Sequence, residues 1–366
     1  MRERGYETHV VCSDGELLHR FAEEEGATAH PLPMARRVTP LTDAGTIRAL
    51  RSLLRRLAPH VVHAQTPKGG LLGTTASRAA RVPRTLYHMR GLPVQGAAGV
   101  MRGVLWVTER VSCGLADVVI CQSPSLRRRA IALGLVSADK SLVLGPGGNG
   151  VSTDRFDPNA ARPRAAVLRA QLKIPETAPV VGFVGRLVRD KGIVELTMAW
   201  RSIRSRLTDA HLLIVGPFEP RDPVPRDIRR ELERCTRVRL VGEQEDVAPY
   251  YALMSALALP SYREGFPNVP IEAGAMCVPV VATRIDGCVD AVVEGRTGTL
   301  VPVRDPAALA DALTRYLSDP GLARRHGEAG RERALHELQP RVIHEALAAV
   351  YEDRFRAAQG DAQPWA

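Results

Sequence analysis

Two α/β domains, each a parallel sheet wound on both faces, are predicted by three features of the chain. Short apolar runs of strand length alternate with longer amphipathic runs along nearly its whole length, the rhythm of parallel sheets covered on both sides. At 366 residues it can bury two cores. A proline-punctuated stretch interrupts the alternation near the middle.

Strand runs in the first half fall at 8–12, 61–63, 85–88, 117–121 and 141–144. Helical runs lie between them at 17–25, 46–57, 70–80, 100–115 and 124–133. The second half repeats the pattern, with strands at 180–184, 211–215, 238–241, 256–259 and 278–282 and helices near 193–206, 226–234, 246–254 and 269–276. Right-handed crossovers turn each half into a doubly wound unit. The segments 306–317, 323–335 and 341–357 read as helical. Pro158, Pro163, Pro175 and Pro179 mark 155–179 as the connection. The expected division is 1–160, 161–340 and a last helix within 341–366 that packs back towards the first domain. The start is unusual, reading as the end of a helix over 1–4, a Gly5 C-cap and then a strand. A first strand and its loop are therefore expected to be missing from the first domain.

Composition narrows the function classes. A hydrophobic fraction of 45% is ordinary for a globular protein. No apolar run approaches the roughly 20 residues that cross a bilayer, and the start carries no apolar leader. Cys12, Cys113, Cys121, Cys235, Cys277 and Cys288 form no C-x-x-C pair, so reduced, packed thiols in a cytoplasmic protein are expected. The net charge of +10 is unevenly placed: residues 1–150 hold 20 Lys and Arg against 11 Asp and Glu, and the remainder is nearly balanced. That excess suits an anionic partner such as a lipid headgroup or a lipid-linked diphosphate, and equally a merely arginine-rich surface. Aromatic residues make up only 4% and do not interleave with the basic stretches, which argues against nucleic acid.

Three glycine loops compete for a phosphate. Residues 145–150 match G-x-G-x-x-G but lead into Val151, Ser152 and Thr153 rather than a helix, so a dinucleotide site is not expected. A loop lining the boundary between domains fits better. Residues 185–192, Gly-Arg-Leu-Val-Arg-Asp-Lys-Gly, end a strand and precede a helix. There Arg186 and Lys191 would set a guanidinium fork and an ammonium beside a diphosphate. Three strands later, Glu264, Gly265, Phe266, Pro267 and Asn268 run into a helix that carries Glu272, eight positions after Glu264. Asn268 is expected to cap that helix, with Pro270 in its first turn. The free N–H groups of the turn suit an anion or a sugar oxygen. The two carboxylates suit pairs of hydroxyls.

Together these motifs resemble the family-4 retaining glycosyltransferases of the GT-B fold, two Rossmann-like domains facing across a cleft. The resemblance is nearest to bacterial enzymes that glycosylate polyprenyl-diphosphate-linked acceptors. It is carried by 61–73, 147–156, 183–192, 259–273 and 280–283. It implies that Arg186 and Lys191 clamp the donor diphosphate and that Gly185 lines it. Glu264 would hold sugar hydroxyls, Gly265 and Phe266 would offer backbone N–H groups, and Glu272 would hold the ribose. Val241, Gly242 and Glu243 would lie by the base, and Pro267, Asn268 and Val269 near the phosphates. The catalytic set implied is Glu264, Arg186 and Lys191. Lys68, Arg90, Gly147 and Asn149 are implied on the acceptor side. His63 and His88 read as packed side chains, and Arg127, Arg128 and Arg129 as either a membrane contact or a solvated helix face.

The activity implied is transfer of a hexose or N-acetylhexosamine from a UDP-sugar to a lipid-linked or glycolipid acceptor. Transfer would retain the anomeric configuration and require no cofactor or metal. A soluble natural product as acceptor, and a donor-binding protein without transfer, remain as alternatives. The second follows from the family's first glycine loop having no match here.

Overall fold

The computed structural model describes residues 1–34, 39–220 and 222–352. In chain order the strands are β1 (His9–Cys12), β2 (Thr28–Pro31), β3 (Val61–Gln65), β4 (Arg84–Met89), β5 (Val118–Cys121), β6 (Ser141–Val143), β7 (Val180–Val184), β8 (His211–Val215), β9 (Val238–Leu240), β10 (Ala256–Leu259), β11 (Val280–Thr283) and β12 (Gly298–Val301). The helices are α1 (Glu16–Glu25), α2 (Pro40–Leu57), α3 (Pro67–Ala80), α4 (Gly99–Leu115), α5 (Pro124–Ala132), α6 (Pro158–Gln171), α7 (Ile193–Arg206), α8 (Arg226–Arg234), α9 (Ala248–Tyr251), α10 (Asn268–Ala275), α11 (Cys288–Ala291), α12 (Pro306–Ser318), α13 (Pro320–His336) and α14 (Pro340–Tyr351). Among the described residues, every strand pairing within these sheets is parallel.

The chain divides into two units, Met1–Gln122 with Arg127–Leu144 and the stretch from Glu345 on, and Gly145–His344 with Ser123–Leu126. The division follows β6 directly, so the glycine loop at 145–150 goes with the second unit rather than the first. Its backbone explains this: Val151 N–H donates to the Leu338 carbonyl at 2.7 Å. The stretch 155–179 is not a plain connection. Asp157 caps α6 by accepting from the Asn159 and Ala160 N–H groups, Pro158 takes the first position, and Pro163 is tolerated inside the helix. Of the segment 341–366, residues 353–366 lie outside the described residues.

In the first unit the strands form two separate sheets, β1–β2 and β3–β4–β5–β6. α2 and α3 pack together over both, with Leu50, Leu53, Leu54, Ala76 and Val82 buried against Val11 of β1 and Val62 of β3. At the start, residues 2–4 form one 3-10 turn, ended by Gly5 in the left-handed conformation. His63 and His88 stack with ring centroids 5.4 Å apart, and His63 Nδ1 lies 2.7 Å from the Tyr351 hydroxyl. Burial lowers their pKa values to about 4 and about 3, so both are neutral packing groups near pH 7.

The second unit holds one six-stranded sheet in the order β12-β11-β10-β7-β8-β9. Alternate residues feed two cores. Val180, Val184, Leu213, Val215, Leu257 and Leu259 face the layer of α6, α10 and α13. Val181, Phe183, Leu212, Ile214, Ala256 and Ala258 face α7, α8 and α12. This two-sided burial explains why the strands read as continuous apolar runs. The chain starts at β7, winds outward through β8 and β9, then returns to the other side of β7 for β10, β11 and β12. The topological switch point therefore lies between β7 and β10, and in such sheets ligands bind outside the carboxyl ends there.

One buried acid in the first unit sets a pH dependence. Glu109 on α4 is almost fully buried and accepts from the Tyr87 hydroxyl at 2.7 Å. Burial raises its pKa to about 7, although the Tyr87 bond pulls the other way. The folded state therefore keeps a proton that the unfolded chain releases at ordinary carboxyl pH. The stabilisation is complete below about pH 4.5 and is lost as pH rises through about 7. Glu109→Gln keeps the acceptor for Tyr87 and removes the titration. The difference in melting temperature between E109Q and the native chain is expected to shift in favour of E109Q from pH 5 to pH 8. Parallel melting curves against pH would rule the assignment out.

Candidate functional site

The site is built where β7 and β10 end. After β7 the backbone runs through Gly185 and Arg186 to a single 3-10 turn, Arg189–Lys191, closed by Gly192 in the left-handed conformation. Gly192 is a glycine for two reasons. Its φ of +70° disfavours a side chain, and a methyl there would fall 2.1 Å from the Pro260 carbonyl oxygen of the neighbouring loop. Gly216, at the end of β8, approaches the first loop as closely: a methyl there would lie 2.0 Å from the Gly185 carbonyl oxygen.

Polar contacts then stitch the β7 and β10 loops together. Tyr262 N–H donates to the Asp190 carbonyl at 2.8 Å, and Arg263 pairs with the Asp190 carboxylate. Lys191 Nζ and Glu264 Oε1 pair at 2.5 Å, their side chains only 23% and 12% exposed. Two residues expected to hold one ligand thus meet each other directly. The ammonium has three N–H groups. The contact with Glu264 uses one and fixes the direction of the others.

Arg186 is more open. It donates to Glu219 Oε2 at 2.8 Å, with the guanidinium exposed and the carboxylate half-buried. Glu219 follows Gly216 on the β8 loop and was not expected as part of the site. The signal was the run Gly216-Pro217-Phe218-Glu219 at a strand end, a second glycine turn with an acid. Asp190, Arg263 and Tyr251 were likewise not expected, because each acts on a partner far away in sequence.

The Glu264 loop leads into α10. Here one expectation fails: Pro267, not Asn268, stands at the cap position, and no side chain caps the helix. Asn268 is the first helical residue, and its Oδ1 is buried without a partner. Pro267 sets an extended backbone just before the helix, which moves the start of the first turn forward by one. Val269 is partly buried in the same turn, whose N–H groups lack intrahelical acceptors. The buried Phe266 ring lies against Gly148, where a methyl would fall 2.6 Å away. Gly148 is flanked by buried Gly147 and exposed Asn149. So the 145–150 loop, in the second unit, packs on the Glu264 loop instead of cradling a dinucleotide.

On α10, Glu272 accepts from the fully buried Tyr251 hydroxyl at 2.8 Å. Burial raises its pKa; the Tyr251 bond and the charge of Arg155 oppose the rise. Beyond β9, Gly242 takes a left-handed turn and its carbonyl accepts from Gly216 N–H at 2.7 Å. Val241 is half-buried and Glu243 exposed. The loops after β7, β8, β9 and β10 thus gather Gly185, Arg186, Lys191, Glu219, Val241, Gly242, Glu243 and Glu264 along one edge of the second sheet.

In the first unit, Lys68 and Arg90 follow neighbouring strands β3 and β4. Lys68 pairs with Asp43 at 2.7 Å and donates to the Thr39 hydroxyl at 3.1 Å. Arg90 Nε donates to Gln65 Oε1 at 2.8 Å, and burial lowers its pKa. Thr66, at an unusual positive φ with an extended ψ, caps α3 by accepting from Gly69 N–H. These side chains sit at the carboxyl edge of their sheet.

The comparisons with known proteins agree with this architecture. Residues 178–319 match the family described as Glycosyl transferases group 1, and residues 1–147 the Glycosyl transferase 4-like domain. The chain is 31% identical over 363 residues to the capsular polysaccharide biosynthesis glycosyltransferase CapM of Staphylococcus aureus, covering 98% of this chain and 93% of that protein. A glycosyltransferase from Rickettsia africae superposes with a TM-score of 0.79 at 18% identity, over 96% of this chain and 91% of the other. Anabaena Alr3699/HepE, solved in complex with UDP-glucose, also gives 0.79, at 20% identity over 94% and 91% of the two chains. The chain therefore belongs to the family-4 glycosyltransferases of the GT-B fold.

Proposed function

We propose that this enzyme moves a hexose or N-acetylhexosamine from a UDP-sugar to a lipid-linked or glycolipid acceptor in the making of a cell-surface polysaccharide or glycolipid. It would work at the cytoplasmic face of the membrane, with retention of configuration and without a metal or other cofactor. The observation that carries the reading is the Lys191–Glu264 pair at the switch point of the second sheet. A cation and an acid held side by side suit a substrate with a diphosphate next to a sugar ring. The capsular relative in S. aureus supports the polysaccharide assignment, and the neighbour solved with UDP-glucose supports the donor.

In this reading Lys191 and Arg186 bind the donor diphosphate and take up the charge that develops on it as the glycosidic bond breaks. Gly265 and Phe266 offer backbone N–H groups from the loop, and Val269 lies near the phosphates in the first turn of α10. Glu264 accepts from sugar hydroxyls and Glu272 from the ribose, with Tyr251 orienting its carboxylate. Val241, Gly242 and Glu243 flank the base. The leaving diphosphate oxygen takes the proton of the acceptor hydroxyl on the same face of the sugar, so no side-chain nucleophile is required. Lys68 and Arg90 meet the acceptor diphosphate, while Gly147 and Asn149 lie towards the acceptor sugar.

A thermal-shift screen of UDP-, GDP-, ADP- and dTDP-sugars tests the donor, since a ligand bound only to the native state raises the melting temperature. A UDP-sugar is expected to give the largest shift; no shift with any of the four counts against the whole reading. Glu264→Gln should leave the circular dichroism spectrum unchanged and abolish transfer, and measurable turnover would remove Glu264 from the mechanism. Lys191→Ala should cost about 1.5–3 kcal/mol of donor affinity by calorimetry. Glu219→Gln should act in the opposite direction. It releases Arg186 from a competing carboxylate, so donor affinity should rise, and weaker binding would show that Glu219 itself touches the donor.

A further inference from the structure

The first unit carries a helix whose faces are inverted for life in water. A helix packed on a sheet normally turns its apolar stripe inward and its polar side to solvent. α4 does the reverse. Glu109, Ser112 and Cys113 are buried inward, while Val100, Val104, Val107 and Val111 stand outward at 86%, 40%, 53% and 40% exposure. Their four-three-four spacing forms a single stripe. Met101, 51% exposed, extends the apolar surface. A grouped apolar surface of this kind marks an interaction site, unlike scattered single residues.

The charge along this part of the chain is predominantly basic, the acids between α4 and β6 being Asp117, paired with Arg78, and Asp139. Residues 44–108 contain ten Lys and Arg and no Asp or Glu. The one acid of α4, Glu109, is turned inward to Tyr87, so the outward side of the helix carries only Arg102 and Arg110 as charges. Trp106 donates its indole N–H to the Leu133 carbonyl at 2.9 Å, which ties α4 to the end of α5. α5 presents Arg128 and Arg129 at the surface. At the other end, Lys140 donates to the Gly114 carbonyl at 2.8 Å. By contrast, the exposed Leu17 and Phe21 of α1 sit on a helix with four acids, Glu16, Glu23, Glu24 and Glu25, against one arginine, Arg20, a net negative surface that an anionic bilayer would repel.

We propose that α4 lies flat in the headgroup region of an anionic bilayer, with its valine stripe against the acyl chains and the surrounding arginines on lipid phosphates. A second copy of this chain is the poorer occupant, because two such stripes would bring arginine edges together with no acid between them. Among the described residues no helix is long and apolar enough to cross a membrane, and the contact proposed is interfacial. The inference rests on the lipid-acceptor reading above and identifies the element through which the protein meets the lipid surface.

The test is co-sedimentation of the full chain with vesicles of phosphatidylcholine alone and of equimolar phosphatidylcholine and phosphatidylglycerol. The native chain is expected to pellet with the anionic vesicles, and Val104→Asp with Val107→Asp to weaken that binding by about tenfold or more. Equal binding by the double variant would overturn the proposal, as would equal binding to both vesicle types. So would a native dimer that the same substitutions convert to monomer. Should the double variant fail to fold, the native chain still decides: Trp106 emission is expected to shift to the blue on anionic vesicles, and Trp106→Phe to lose that shift. No shift sinks the idea. UDP-sugar binding measured on the same samples separates the two readings. If the donor does not bind but the vesicles do, the activity assigned to the second unit fails and the docking surface stands.

Discussion

Two adjacent parallel strands that send their chains in opposite directions cannot both be roofed by one crossover. The gap left above them is the constraint around which the second unit is organised. β7 and β10 are those strands, and the residues that follow them supply the ammonium, the carboxylate and the glycine turns of the site. The flanking strands β8 and β9 add their own loops along the same edge. The position of the site is thus a property of strand order, and the side chains determine only its chemistry.

The electrostatics of the site are largely satisfied internally. Lys191 faces Glu264, Arg186 faces Glu219, and Asp190 faces Arg263. Unpaired, half-buried charges would carry a desolvation cost; paired, they wait in place. On the proposed reading, an entering phosphate or hydroxyl would meet groups already aimed, which lowers the ordering cost of binding. The more open Arg186–Glu219 pair is worth little by itself, so the guanidinium can change partner with small loss. The shielded Lys191–Glu264 pair is a firmer fixture and acts as the reference point of the site.

Much of this was legible in the sequence, because parallel strands buried on both faces announce themselves as unbroken apolar runs and because glycine turns and charged residues follow them at fixed spacing. Arg186, Lys191, Glu264 and Glu272 could be singled out on that basis. What could not be read depended on packing. β2, with only Thr28, Ala29, His30 and Pro31, has too little apolar character to stand out, and β12 begins in a glycine turn. α6 was concealed by its prolines, which fit because one occupies the first helical position and Asp157 supplies the cap. The cap of α10 was misplaced by one residue, since polar side chains favour that position in general and Pro267 fixes the backbone here in particular. Glu219 and Tyr251 join the site only through the sheet, which brings together residues that the chain keeps far apart.

The glycine at position 192 has a bearing on how the enzyme could be redesigned. Its missing carbon lets the β7 turn rest directly on the Pro260 peptide, and Gly216 allows the same at Gly185. Main chain touches main chain at both places, so the loops behave as a welded frame on which side chains are interchangeable fittings. A library built on this edge of the sheet would do well to vary the fittings, such as Glu219 or Glu243. The two weld points should be left as they are, because enlarging either would tilt every group in the site at once.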